Sequence, residues 1–385
     1  MSSDRPTLDP EPLSAWGDGL MRPLLIAGPC SAESEAQVLS TAHGIVKCAP
    51  NVRVFRAGVW KPRTRPGAFE GAGKQALAWL QRVKLETGLL TATEVATPEH
   101  VEACLLHGID VLWIGARTTP NPFSVQAIAD ALRGVDIPVM VKNPISPDLQ
   151  LWIGALERLH RAGIRKLAAV HRGFSWSGST PYRNSPMWEF PIRLAAAYPE
   201  LPLLCDPSHI AGKPGKLHEV AQKALDLNFS GLMVETHHAP AAALSDADQQ
   251  ISPENLKGLL ASLSFRVASP DALLRDRLEE LRDQIDQLDA DIAQKLGARM
   301  DLSERIGEYK RDHNVAILQP ERWERIMNLQ AELGGKLGLG TDFIEAFMNA
   351  IHQESIRRQT EAWDQHTEGS EGSPSFNTRR LQDPH

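Results

Sequence analysis

Polar and ionisable residues recur at one place in this chain, at or just beyond the end of each of eight short apolar runs. In order they are Cys30, Arg56 with Lys61, Glu94, Arg117, Lys142, Arg172, Asp206 with His209, and Glu235. Arg56, Lys61, Arg117, Lys142 and Arg172, brought together, would hold a strongly anionic ligand with phosphate and carboxylate groups. The guanidinium fork grips oxyanions in pairs, and the ammonium acts as a point charge. A structural salt-bridge network is the competing use of the same cations, which could not persist buried and unpaired. Cys30, His209, Glu235 and Asp246 offer one thiol, one imidazole and two carboxylates, a donor set suited to a borderline or first-row divalent ion rather than to Mg²⁺ alone. Taken singly, Cys30 reads as a small buried residue and His209, in Asp206-Pro207-Ser208-His209, as a satisfied turn histidine. Only the joint arrangement makes a metal site. Gly71-Ala72-Gly73-Lys74-Gln75 is not a phosphate loop, because it lacks the hydroxyl residue after lysine and the upstream glycine spacing.

For these residues to meet, the runs must be strands of one sheet. They are Leu24–Cys30, Val52–Gly58, Gly88–Val95, Asp110–Ala116, Ile137–Pro144, Lys166–Gly173, Pro202–His209 and Gly231–His237. Spacings of roughly 25–35 residues suit βαβ units, and continuous apolar runs suit strands buried on both faces. Eight such units in about 240 residues predict an α/β fold, a (β/α)8 TIM barrel, whose strand ends converge on one face. Solvated loop charges would not fall at every strand end.

Length and composition bound the rest. A chain of 385 residues suggests two domains, and 42% hydrophobic with 23% charged residues excludes a fibrous or wholly disordered chain. A net charge of −7 argues against nucleic-acid binding by broad phosphate neutralisation. Four cysteines without a CxxC pair give neither a disulfide framework nor a zinc knuckle. There is no signal pattern and no apolar stretch near the ~18–20 residues of a membrane span, so a cytoplasmic protein with no membrane partner is expected. Residues 1–263 hold 25 basic and 25 acidic residues, and residues 264–385 hold 16 and 23, so all the excess acid lies in the last third.

That last third has a helical pattern. Leu274, Leu278, Leu281, Ile285, Leu288 and Ile292 recur in steps of four and three within a segment free of proline from Ala272 to Asp312. A rod of roughly 60 Å results, which needs a partner, most simply a second copy. A second helix is expected from Pro320 to Leu333, stopping at Gly334-Gly335, and a third from Thr341 to Trp363. The tail from His366 onward is expected to be disordered. Arg299 and Lys310, 11 residues apart, are about 20° apart around a helix and share a face. Arg282 lies about 100° away and could serve a partner's pocket in a paired rod. Ser355 and Gln359 share a face of the third helix, and Arg322 falls in the first turn of the second. Such cations suit a small dicarboxylate. A dimerisation module with incidental cations is the alternative.

Five segments, Ile26-Ala27-Gly28-Pro29-Cys30-Ser31, Lys61-Pro62-Arg63-Thr64, Ile114-Gly115-Ala116-Arg117, Asp206-Pro207-Ser208-His209 and the one around Glu235, carry a resemblance. Over about residues 22–263 the chain resembles 3-deoxy-D-arabino-heptulosonate 7-phosphate (DAHP) synthase of the Iβ type. The resemblance implies condensation of phosphoenolpyruvate with erythrose 4-phosphate, the first step toward chorismate. It implies that Cys30, His209, Glu235 and Asp246 ligate a divalent metal, Mn²⁺ or another first-row transition metal. By the same resemblance Arg56, Lys61, Arg117, Lys142 and Arg172 hold phosphoenolpyruvate, while Lys61, Pro62, Arg63, Thr64 and Asp206 meet erythrose 4-phosphate. Lys61 would donate a proton to the new alkoxide and Glu94 would orient water. A sister enzyme, 3-deoxy-octulosonate 8-phosphate synthase, uses arabinose 5-phosphate but has an Asn-containing segment in place of Lys61–Thr64. About 22 residues before the first strand are too few for the ferredoxin-like regulatory domain of some members.

Residues 271–363, through Arg282, Arg299, Lys310, Arg322, Ser355 and Gln359, resemble an all-helical chorismate mutase. This implies chorismate binding by those six residues in an intertwined homodimer, with Arg282 supplied by the partner. Arg299 would bind a carboxylate, and Lys310 and Gln359 would face the ether oxygen during rearrangement to prephenate. Trp323 and Gln319 depart from the pattern, standing where members have Glu and, in some, Asp. The expected organisation is a barrel at 1–263 with a short N-terminal extension, a linker at 264–270, a three-helix mutase domain at 271–365 and a tail at 366–385. A helical domain acting chiefly as a prephenate or chorismate sensor is the alternative.

Overall fold

The computed structural model describes residues 8–17, 19–62, 67, 69–266 and 272–364, without the side chains of 272–276. It divides into two compact units, residues 1–268 and 269–385. Arg63 and Thr64, most of the expected linker, Leu274 and the 366–385 tail lie outside the described residues or side chains.

The first unit is a closed barrel of eight parallel strands in chain order. They are β1 (Leu24–Gly28), β2 (Val54–Arg56), β3 (Leu90–Val95), β4 (Val111–Ile114), β5 (Val139–Lys142), β6 (Leu167–His171), β7 (Leu203–Cys205) and β8 (Gly231–Glu235). β8 closes on β1 with Leu24 opposite Gly231 and Gly28 opposite Glu235. Between and after them run α1 (Glu35–Cys48), α2 (Gln75–Thr87), α3 (Pro98–Leu106), α4 (Pro122–Ala131), α5 (Leu149–Arg161), α6 (Glu189–Ala197), α7 (Pro207–Ala211), α8 (Leu217–Asp226) and α9 (Pro253–Ser262). Several of these helices start on side-chain caps: Ser34, Thr97, Asn121, Asp148 and Ser252 each accept a backbone N–H of the first turn.

Strand side chains alternate between two apolar layers. Leu25, Phe55, Leu112, Val141, Ala169 and Val234 face the helices. Ile26, Val54, Ala92, Trp113, Met140, Val170, Leu204 and Met233 fill the barrel interior. Two residues beyond six of these interior positions the chain becomes charged, at Arg56, Glu94, Lys142, Arg172, Asp206 and Glu235. Period two therefore puts an apolar floor under a ring of ionisable groups. The N-terminal extension has a structural part that sequence reading did not assign. Leu13, Trp16 and Leu20 are buried in the interior cluster and close the N-terminal end of the barrel.

The second unit contains α10 (Ala272–Asp312), α11 (Pro320–Lys336) and α12 (Thr341–Asp364). Its core is small: Met300, Ile344, Met348 and Ile351, flanked by Leu296, Trp323, Ile326 and Met327. Within this one chain, Ile285 and Leu288 of the expected seam remain 56% and 61% exposed. The second helix does not stop at Gly334-Gly335 as expected but continues to Lys336. Gly334 is a packing glycine, since a Cβ there would lie 2.5 Å from Ile344 Cγ1. The stop is Gly338, left-handed at φ +72°, followed by a 2.9 Å bond from Leu339 N–H to Gly334 O.

Candidate active site

At the C-terminal face of the barrel, Lys61, Pro62, Glu94, Arg117, Lys142, Arg172, His209 and Asp246 line one cavity of about 80 Å³. Each owes its place to a strand end or the loop that follows. Arg56 lies below, fully buried. Its guanidinium faces Glu235 at 3.1 Å and Asp206 at 3.8 Å, yet none of its three nitrogens makes a hydrogen bond. Its charge is balanced by those two carboxylates rather than by directed hydrogen bonds. Lys142 donates to Asp206 at 2.7 Å, and burial, followed by the charge of Arg56, holds its ammonium below the usual lysine value. Lys61 donates to the Cys30 carbonyl at 3.2 Å. Burial opposes its charge, but Cys30, Glu94 and Glu235 outweigh that and keep it protonated.

Asp206 is both a helix cap and a charge hub. Its Oδ1 accepts the His209 N–H at 3.1 Å, which turns the chain from β7 into α7. Its Oδ2 lies 2.8 Å from His209 Nδ1. Burial alone would raise this carboxyl, but His209, Lys142 and Arg56 hold it well below the usual carboxylate range.

One ligating atom each from Cys30, Glu235 and Asp246 lie within 4.8 Å of one another. Cys30 Sγ donates to Asp246 Oδ2 at 3.1 Å. Burial, then Glu235 and Asp246, pushes the thiol up to about 12. Glu235 Oε1 is buried and accepts no hydrogen bond. A buried orphan carboxylate oxygen beside a thiol and a second carboxylate fits a divalent cation. His209 is not among the three; its Nδ1 lies 3.7 Å from Glu235 Oε1. Burial, as its first cause, keeps its imidazole easier to deprotonate than usual, the form a metal takes.

Sequence reading missed four residues here. Arg183 bonds Asp246 at 3.0 Å and also reaches Gln249, whose amide donates to Glu235. Asn184 accepts from Arg172 at 2.8 Å and donates to the His209 carbonyl at 2.6 Å. Trp113 donates its indole N–H to Glu94 at 3.0 Å. Arg183 and Asn184 follow β6 by a dozen residues or more, so no strand-end rule could mark them. A roomier cavity, about 590 Å³, opens at the N-terminal ends of β1 and β2 beside Met21, Pro23, Leu260 and Phe265. It lies away from the ionisable ring and is lined largely by apolar groups, so the smaller, charged mouth is the candidate site.

In the helical unit, Arg299 donates to Ser355 Oγ, and Lys310 donates to Gln359 Oε1 at 3.2 Å and to the Ile317 carbonyl at 2.6 Å. Arg299 and Arg322 line a cavity of about 280 Å³ with Arg325, a cation that sequence reading did not single out. Lys310 lines a separate cavity of about 590 Å³ with Leu302, Ile306, Tyr309 and Gln319. Burial lowers the pKa of both Arg299 and Lys310. Arg282 stands exposed, paired to Glu279 on its own helix. Trp323 stacks on His352 with ring centroids 3.9 Å apart.

A closed parallel barrel whose C-terminal mouth gathers cations beside a thiol and two carboxylates has the makings of an enzyme acting on small anionic ligands. The comparisons narrow that class. The DAHP synthetase I family matches residues 14–265, and the chain belongs to it. Chorismate mutase type II matches residues 281–360. The chain is 28% identical over 239 residues to phospho-2-dehydro-3-deoxyheptonate aldolase of Thermotoga maritima, covering 62% of this chain and 68% of that one. It is 29% identical over 264 residues to 2-dehydro-3-deoxyphosphooctonate aldolase of Pelobacter propionicus, covering 64% and 93%. The crystal structure of the Thermotoga maritima DAHP synthase superposes with a TM-score of 0.56 at 26% identity, covering 62% of this chain and 67% of that one.

Proposed function

We propose a bifunctional enzyme. The barrel condenses phosphoenolpyruvate with erythrose 4-phosphate and water to DAHP and phosphate; the helical domain rearranges chorismate to prephenate. The observation that carries the first activity is the convergence of Arg56, Lys61, Arg117, Lys142 and Arg172 on the Cys30–Glu235–Asp246 donors. Arg56, Arg117, Lys142 and Arg172 bind the phosphate and carboxylate of phosphoenolpyruvate. Lys61 and Pro62, with Arg63, Thr64 and Asp206, receive the aldose phosphate. Cys30, Glu235 and Asp246, joined by His209, would hold a divalent first-row metal ion, which when bound supplies Lewis acidity toward the aldehyde oxygen. C3 of phosphoenolpyruvate bonds to the aldehyde carbon while Lys61, kept charged by its neighbours, protonates the oxygen. Glu94 orients the water that adds at C2, and phosphate then leaves from C2. Since both substrates are charged metabolites, we assign the enzyme to the cytoplasm.

In the helical domain Arg299, held by Ser355, binds one carboxylate, with Arg322 beside it. Lys310 and Gln359 stabilise the ether oxygen as charge develops there. We infer a homodimer through the exposed α10 seam, in which Arg282 completes the partner's pocket; the exposure of Ile285 and Leu288 supports this. The domains are assigned as 1–263 and 271–365.

The test is phosphate release from phosphoenolpyruvate with erythrose 4-phosphate or arabinose 5-phosphate, before and after chelation. Release with the four-carbon sugar, lost on chelation and restored by Mn²⁺, is expected. Activity only with the five-carbon sugar, or undiminished activity without metal, refutes the assignment.

A further inference from the structure

We propose that Trp113 is a positioning residue of the synthase site: its indole N–H fixes Glu94 and its ring face seats the Arg56 and Lys142 cations. The inference rests on the synthase reading above and extends it to a residue outside the ligand shell.

Trp113 sits in the middle of β4, facing the barrel interior and fully buried. β4 sends its charge, Arg117, to the mouth only from the loop beyond, because the next interior position after Trp113 is Gly115. That glycine has a use. A Cβ on it would lie 2.0 Å from Glu94 Oε1, so its absence lets the Glu94 carboxylate lean across β4. Glu94 is the register partner of Trp113, and the indole N–H meets its Oε2 at 3.0 Å. One donor and one gap, both on β4, therefore set the direction of a side chain on β3.

The same ring serves the two deepest cations. The Arg56 guanidinium carbon lies 5.0 Å and the Lys142 ammonium 5.7 Å from the ring centroid, each over the ring. Arg56 makes no hydrogen bond from any of its three nitrogens, so its ion pairs and this π face are what offset its burial. A leucine would keep the position apolar but is smaller and offers neither donor nor π face, whereas a phenylalanine keeps a ring and loses the donor. Comparing the two separates the N–H from the π face.

The experiment uses the full-length, metal-loaded enzyme. Trp113→Phe keeps a ring and loses the N–H, whereas Trp113→Leu loses both. For Trp113→Phe, kcat is expected to fall about tenfold with KM for phosphoenolpyruvate within about twofold. For Trp113→Leu, KM should rise about tenfold as well. In a Glu94→Ala background, which removes the acceptor, Trp113→Phe should bring little further loss of kcat, because the two act through one contact. Wild-type kcat and KM in Trp113→Phe, or an undiminished further loss in the Glu94→Ala background, overturns the proposal. If the Glu94→Ala protein turns over too slowly to time, calorimetric titration with phosphoenolpyruvate decides. Equal binding by Trp113→Leu and wild type overturns the cation platform. If Trp113→Leu does not fold, Trp113→Met, larger than leucine and likewise without a π face, takes its place in the titration. A wild-type enzyme that releases no phosphate would instead refute the synthase reading itself.

Discussion

Gly307 makes the mutase assignment vulnerable to one methyl group. It lies on α10 one turn before Lys310, where α10 packs against the backbone of α12. A Cβ at Gly307 would stand 2.8 Å from both the Cα and the carbonyl oxygen of Gln359. The obstacle is backbone, so no side-chain rotation relieves it. Ordinary contact begins near 3.4 Å, and the helices must therefore separate by about 0.6 Å. Lys310 Nζ and Gln359 Oε1 are now 3.2 Å apart, and the same separation would take them out of hydrogen-bond range. Overpacking costs about 1–3 kcal/mol, of which the better helix propensity of alanine returns about 1 kcal/mol. Gly307→Ala should therefore fold but lose about 10- to 100-fold in mutase kcat/KM through misplacement of the two groups at the ether oxygen. Chorismate disappearance, followed by absorbance, measures the loss, and phosphate release by the barrel of the same molecule is the internal control. A Cβ at Gly297, on the same helix, would meet no atom within 4 Å, and Gly297→Ala should keep mutase activity. Wild-type chorismate turnover by Gly307→Ala, or an equal fall in both activities, would refute the reasoning.

Lys310 must carry charge to act, and burial lowers its pKa; mutase activity should be present at neutral pH and fall on the alkaline side before pH 10.5, the unshifted value. A rate–pH profile checks this, and Lys310→Arg should move the fall to higher pH. Arg282→Ala and Lys310→Ala proteins, each inactive as mutases, should regain activity when subunits are mixed and exchanged, since a mixed dimer holds one intact pocket; no recovery means Arg282 does not act across the dimer. His171 is buried among Trp152, Phe174, Trp188 and Phe229, and burial drives its pKa down to about 3 from 6.5. The unfolded chain binds a proton there that the native barrel refuses, so stability should fall as pH drops from 6.5 toward 3. Melting temperature against pH should be flatter for His171→Phe, and parallel curves would sink the idea.

The barrel was legible because a buried parallel strand writes its own signature, an apolar run ending in a charge. Val54 with Arg56, Met140 with Lys142 and Met233 with Glu235 each place a floor residue two positions before a site residue. The competing salt-bridge reading also had physical substance, since Arg56 and Lys142 are paired with Asp206 and Glu235. Arg183 and Asn184 were invisible because a loop returns them to the mouth through one pairing, Phe174 with Ser185, that leaves no periodic trace. Trp113 reads as one more apolar strand residue until its N–H has an acceptor. Gly334-Gly335 misled because composition cannot tell a glycine that ends a helix from one that admits Ile344.

The apolar floor of Val54, Met140, Leu204 and Met233 makes the mouth of the barrel a blind cup. Everything that enters must leave by the same mouth, past Lys61 and Pro62. Arg56 and Lys142 sit at its bottom, so the molecule they hold has to arrive before the one that occupies the rim. Traffic in such a vessel is a stack, with the deepest guest first in. An aldose phosphate seated alone at the rim would cork the cup, and excess aldose phosphate should therefore slow the enzyme by competing with phosphoenolpyruvate for passage.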